Sequence, residues 1–159
     1  MGATTLDNRI QAVRDEKSNR IIGRLMKDVD FFQGIKEVCR LFSVQAAQFQ
    51  CIGSLQYATY VQLDQQSDGS LVYSEKVKTD TPVELLSGTG FVGLDMEEEL
   101  EVHFHGMFVD CNKNLNGGHF LDGENPVAVT VEFLLLPLNN VRMQREVDEI
   151  WGIPVFQFR

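Results

Sequence analysis

The 159-residue sequence has no run approaching the roughly 20 apolar residues that a membrane-crossing helix needs, and its amino terminus lacks the apolar core of a signal peptide. Met1-Gly2-Ala3-Thr4-Thr5-Leu6 opens like a myristoylation signal but carries leucine where serine or threonine is required. These absences lead to the expectation of a cytoplasmic protein. Cysteine is scarce as well. Cys39, Cys51 and Cys111 are odd in number and form no CxxC pair, which argues against a disulfide framework and for reduced thiols used in packing. Basic charge is also short: 14 Lys and Arg face 23 Asp and Glu, for a net charge of −9. DNA binding rests on cations that neutralise phosphates, and the longest basic stretch, Arg9 to Arg24, is interrupted by Asp15 and Glu16. Direct DNA binding is therefore not expected. Internal repeats, low-complexity segments, a Walker motif and a nucleophile elbow are all missing.

What is present is a globular mix, 43% hydrophobic and 23% charged, at the length of one compact domain. Residues 1–19 read as a polar tail or short exposed helix, and residues 20–159 as a single domain. Ile21, Ile22, Leu25 and Met26 suggest a strand. The three-and-four spacing of Phe31, Phe32, Ile35, Val38, Cys39 and Phe42 predicts the main helix, with Asp30 and Gln33 as a capping box at its start. Gln45 to Leu63 favours a strand that Gly53 could bend. A turn at Ser67-Asp68-Gly69-Ser70 leads to a strand over Leu71 to Val77. Short strands follow at Val83 to Leu86 and Phe91 to Leu94, flanking Ser87-Gly88-Thr89-Gly90.

Alternation from Glu97 to Val109 assigns faces. Leu100, Val102, Phe104 and Phe108 point one way; Glu99, Glu101, His103, His105 and Met107 point the other. Asp110 to Gly118 is rich in turn residues. Val127 to Leu136 reads as a central strand covered on both faces, with Glu132 as a lone carboxylate that needs Arg142, Arg145 or a subunit interface beside it. Arg142 to Ile150 suggests a short helix, after which Trp151 and Phe156 pack back onto the sheet. The sum is an α+β domain with one main helix on a mostly antiparallel or mixed sheet.

All three histidines fall within seventeen residues, in His103-Phe104-His105 and Gly117-Gly118-His119. Positions i and i+2 of a strand share a face about 7 Å apart, near enough for two imidazoles to meet one ion. Gly117 and Gly118 would let the backbone approach closely and adopt positive φ before His119. Three nitrogen donors suit zinc, and also iron, nickel or copper, with a fourth position for water, substrate or another subunit. The competing account is three polar histidines on a solvated strand face. Glu101, two residues before His103, is a candidate fourth ligand, a hydrogen-bond partner that orients a ligating histidine, or a general base, and thus the only catalytic candidate. Gly88-Thr89-Gly90-Phe91-Val92-Gly93 spells GxGxxG, but it lacks the βαβ context of a dinucleotide site and reads as a loop glycine cluster.

The order of these segments resembles the plants-and-prokaryotes conserved (PPC) domain in its stand-alone prokaryotic form. Arg24-Leu25 through Asp30, Ile52-Gly53-Ser54-Leu55, Val83 through Gly90, His103-Phe104-His105, Gly117-Gly118-His119 and Val131-Glu132-Phe133 carry the likeness, which spans about residues 20 to 158. The resemblance implies a PPC-like homotrimer with a zinc-type ion on His103, His105 and His119. It also implies a loose association with DNA, because plant members join the domain to AT-hooks. This chain has no Arg-Gly-Arg-Pro hook, and Pro82 stands where plant members carry an arginine used in partner binding. The expected function is thus a metal-binding homotrimer with a regulatory or binding role. The alternatives are a metalloenzyme that activates water, with a small molecule at the ion, and a DNA-associated protein.

Overall fold

The computed structural model describes residues 4–5, 8–150 and 152–159. The strands run in chain order β1 (Thr4–Thr5), β2 (Ile10–Asp15) and β3 (Arg20–Met26), followed by the helix α1 (Phe31–Leu41). Next come β4 (Ala47–Leu55), β5 (Thr59–Val61), β6 (Leu63–Gln65), β7 (Leu71–Tyr73), β8 (Val77–Lys78), β9 (Val83–Leu94) and β10 (Leu100–Asp110). The last are β11 (Leu115–Phe120), β12 (Val127–Pro137), β13 (Met143–Val147) and β14 (Pro154–Phe158). One large sheet has the order β1-β2-β3-β12-β4-β9-β10-β11-β5-β8, and β6 and β7 form a separate hairpin. Pairing is antiparallel throughout except for a parallel contact of β13 with β9 at Gln144 and Leu94.

Helix α1 buries the face that its spacing predicts: Phe31, Phe32, Ile35, Val38 and Cys39 are fully enclosed, and Phe42 is partly so. Asp30 caps it by accepting from Gln33 N at 3.1 Å. The other half of the expected capping box is absent. Gln33 Nε2 instead donates to Asp122 Oδ1 at 3.0 Å, while Asp30 Oδ2 accepts from Asn125 N at 3.0 Å, tying the helix start to the loop before β12. Phe31 meets Phe104 at 4.8 Å between ring centroids, and Phe49 stacks on Phe104 at 5.7 Å and 9°. Aromatic rings from α1, β4 and β10 therefore form the centre of the core.

Several local expectations change. Residues 10–15, read as polar tail, form β2, because Ile10 and Ala12 turn inward and pair with β3. The two short strands around Gly88 and Gly90 are one continuous strand, β9, in which these glycines are not a loop. A Cβ at Gly88 would stand 2.5 Å from Phe104 Cε2 and closer still to Cζ, and one at Gly90 would stand 2.5 Å from Phe49 Cζ. The glycines make room for the rings. Arg142 to Ile150 is not helical; Met143–Val147 pairs with Pro154–Phe158 as a hairpin. Trp151 lies outside the described residues, and Phe156 does pack back, against Gly93 and 6.3 Å from the His103 ring. The turn-rich stretch after Asp110 is short and gives way to β11. Of the three thiols, Cys39 and Cys51 are buried but Cys111 is exposed.

The segment from Gln45 to Leu63 is interrupted after Leu55. Gln56 N donates to Pro126 O at 2.8 Å and Thr59 N to the buried Asn125 Oδ1 at 2.9 Å, which carries β5 across to the far edge beside β11. Gly53 bends β4 as expected: the register shifts there against both neighbours, and a Cβ would lie 2.6 Å from Val131 Cα. Strand β12 is central, between β3 and β4, but within one chain only one of its faces is covered. Val129, Leu134 and Leu136 are exposed, next to Ile22, Ile52 and Leu86 on neighbouring strands. Glu132 lies on this open face opposite Arg24; Arg142 and Arg145 pair instead with Glu98 and Glu101. Among the described residues no helix is long and apolar enough to cross a membrane.

Candidate metal centre

The site begins with Phe104. Its ring is fully buried beneath Gly88 and Gly106, so the pleat forces His103 and His105 to the opposite face of β10. His119 comes from β11, in direct register with His105. Gly117 and Gly118 do permit close approach, since a Cβ at Gly118 would lie 2.5 Å from Val61 O and one at Gly117 3.1 Å from Met107 Cα. The positive φ expected at these glycines is not found; both are ordinary strand residues.

The structure brings all three histidines together. His103 Nε2 is 3.1 Å from His105 Nε2, which is 3.3 Å from His119 Nδ1, and the three nitrogens lie within 4.8 Å of one another. A neutral imidazole nitrogen offers either one N–H or one lone pair, so His105 Nε2 can make a well-directed hydrogen bond to only one of its two neighbours. A single ion resolves that conflict. Zinc–nitrogen bonds of about 2.0–2.1 Å in tetrahedral array place donor atoms roughly 3.3 Å apart, close to the two separations that involve His105 Nε2. The donor set fits a divalent ion of the zinc type.

Electrostatics agree with that fit. Burial pushes His103 down to about 4, helped by His119, Arg145 and His105, and pushes His119 down to about 4, helped by His105 and Arg145. His105 is lowered by burial. Neutral imidazoles at neutral pH are the form that binds metal. By contrast, burial in the hydrophobic core raises Cys39 to about 12 and raises Cys51 as well, and neither thiol joins the histidine cluster.

Glu101 shares the face of His103 but does not join the cluster. Its Oε1 accepts from Arg145 Nε at 3.1 Å. Arg145 also donates through Nη1 to Pro154 O at 2.9 Å and lies over the Phe156 ring at 4.5 Å. Tyr73, from the small hairpin, stands 5.9 Å from the His119 ring. A cleft of about 590 Å3 opens here, lined by His119, Glu101 and Arg145 together with Val61, Tyr73, Asp95, Met96, Glu97, Leu121, Ile153 and Pro154. The places of Arg145 and Tyr73 in this wall carried no local sequence signal. Both arrive on hairpins that fold over the sheet from distant parts of the chain.

Fold and cluster define a mostly antiparallel β domain, with one helix among the described residues, that presents three converging histidines on one sheet face beside an open cleft. The chain belongs to the Plants and Prokaryotes Conserved domain family, whose model matches residues 13–139. Solved structures share the fold. A metal-containing protein from Archaeoglobus fulgidus is 24% identical, with a TM-score of 0.72, over 87% of this chain and 92% of its own. A plant- and prokaryote-conserved protein from Pyrococcus horikoshii is 18% identical, with a TM-score of 0.72, over 96% of this chain and 97% of its own. A candidate DNA-binding protein from Bacteroides thetaiotaomicron is 15% identical, with a TM-score of 0.77, over 95% and 99%. No curated protein matches the chain.

Proposed function

We propose that His103, His105 and His119 hold one divalent ion, zinc in the first instance, in a homotrimer that serves a regulatory or binding role in the cytoplasm. The observation that carries this reading is the convergence of three imidazoles, with His105 Nε2 at tetrahedral-edge spacing from a nitrogen of His103 and one of His119. The metal-containing relative from Archaeoglobus fulgidus supports it by fold. Assembly is supported by the open face of the central sheet. An exposed sheet face is ordinarily polar, yet Ile22, Ile52, Leu86, Leu134 and Leu136 are all exposed here, and an apolar patch of this kind marks a protein interface.

A second reading, a metalloenzyme, is favoured by the cleft, which reaches His119 and leaves room beside a three-ligand ion. When bound, such an ion polarises oxygen ligands and acidifies water. Glu101 is then the nearest carboxylate for proton transfer, although its bond to Arg145 must loosen first. Association with DNA has the names of the Bacteroides relative and of one from Ralstonia eutropha behind it, against a net charge of −9.

Elemental mass spectrometry on tag-free protein, beside a variant carrying His103→Ala and His105→Ala, tests the metal centre. The expected result is about one ion per chain in the parent, as one such site would hold, and loss of that ion in a variant that still folds. A metal-free parent that fails to take up added zinc would overturn the reading.

A further inference from the structure

We propose that the cleft beside the three histidines binds a small carboxylate with an apolar body, and that Arg145 is the residue that selects it. This rests on the metal reading above. Arg145 lines the cleft, yet only 13% of its side chain is exposed. Phe156 supports one face of the guanidinium, while Glu101 and the carbonyl of Pro154 take Nε and Nη1. Among the described residues nothing accepts from Nη2. A guanidinium fixed this way is preorganised, because its stem and two of its nitrogens are already held and Nη2 is left to donate.

Charge inside the cleft then follows by addition. Imidazoles that hold an ion are neutral, Glu101 is ion-paired with Arg145 at 3.1 Å, and a divalent ion would leave the interior cationic. The remaining wall is largely apolar, with Val61, Tyr73, Leu121, Ile153 and Pro154. Two acidic residues, Asp95 and Glu97, stand at the rim, but Asp95 Oδ1 is committed to the backbone N–H groups of Glu97 and Glu99. This combination favours a compact monoanion whose carboxylate bridges the region of the ion and Arg145 while its hydrocarbon part lies on the apolar wall. A highly charged ligand such as a nucleotide would meet the rim carboxylates.

Cobalt(II) replaces zinc as the reporter, and its visible absorption is followed while benzoate is added to the full chain. Metal content is measured first on the same sample. The expected outcome is saturable spectral change, with benzoate binding at least about tenfold tighter than the uncharged analogue benzamide. Arg145→Gln should retain cobalt and weaken benzoate by about tenfold or more, the loss typical of a hydrogen bond to a charged group. Ile153→Trp, at an exposed position in the cleft wall, narrows the cleft without touching the core and should also weaken benzoate, so the idea stays testable if the arginine variant does not fold. Cobalt-loaded protein that ignores benzoate, or binds it equally well with and without Arg145, refutes the inference and leaves the metal centre standing. A chain that takes up no cobalt refutes the metal centre, and this inference with it.

Discussion

Replacing Gly88 by alanine is a sharp test of how the site is held. The backbone at Gly88 is not in the left-handed region, so alanine is conformationally acceptable there. The obstacle is steric: the new methyl would stand 2.5 Å from Phe104 Cε2 and closer to Cζ, where carbon atoms prefer roughly 3.5–4.0 Å. Phe104 cannot swing away, since Phe49 stacks on it at 5.7 Å and Phe31 and Phe120 close on it at 4.8 and 5.3 Å. Overpacking of a closed core costs about 1–3 kcal/mol, and the top of that range applies here. Alanine regains about 0.5–1 kcal/mol of chain entropy, leaving a net loss near ~2 kcal/mol. For a chain of this length that corresponds to a melting temperature lower by roughly 4–8 °C. Urea unfolding at fixed protein concentration measures it, with concentration held constant because the proposed assembly would add stability. The decisive arm is Gly88→Ala combined with Phe104→Leu, which removes the obstructing ring edge. The double variant should be more stable than the sum of the two losses by about 1–2 kcal/mol. Gly69→Ala is the contrast: it meets nothing within 4 Å but has φ +87°, so its cost of about 1 kcal/mol is purely conformational. An unchanged midpoint for Gly88→Ala, or losses that simply add, would refute the account of these glycines as clearance for the aromatic core.

Three further outcomes follow from the same geometry. In metal-free protein, His103 and His119 sit at about 4 when folded against an ordinary 6.5, so between these values the unfolded chain holds more protons and stability rises with pH. Their contribution should be complete above pH 6.5 and lost as pH falls through about 4, and a His103→Gln, His119→Gln variant should flatten that part of a denaturation-against-pH curve. Asn125→Ala removes a fully buried amide that accepts from Thr59 N and donates to Leu121 O at 2.6 Å; the stranded groups should cost about 2–4 kcal/mol in urea unfolding. Leu134→Glu, on the open face of β12, should convert the proposed trimer to monomers by light scattering while the fold persists by circular dichroism, and a variant that assembles as the parent does would move the interface elsewhere.

The order of residues by itself determined the elements whose periodicity is clean. Helix α1 was legible because its six apolar positions leave no other face to bury, and the two faces of β10 because strict alternation separates Phe104 from His103 and His105. The bend at Gly53 and the grouping of the histidines were legible too, as was the family likeness. Tertiary structure alone decided the rest, since those features depend on partners far away in the chain. A GxGxxG string reads as a loop until Phe104 and Phe49 lie over its glycines, and Ile10 and Ala12 read as tail until β3 pairs with them. Residues 143–147 hold too few apolar positions to tell a strand from a helix, and only the pairing with β14 settles it and delivers Arg145 and Phe156 to the histidines. Glu101 was on the right face, but its partner could not be read locally: Arg145 lies 44 residues away and holds it by a bond that exists only once the hairpin has folded over the sheet.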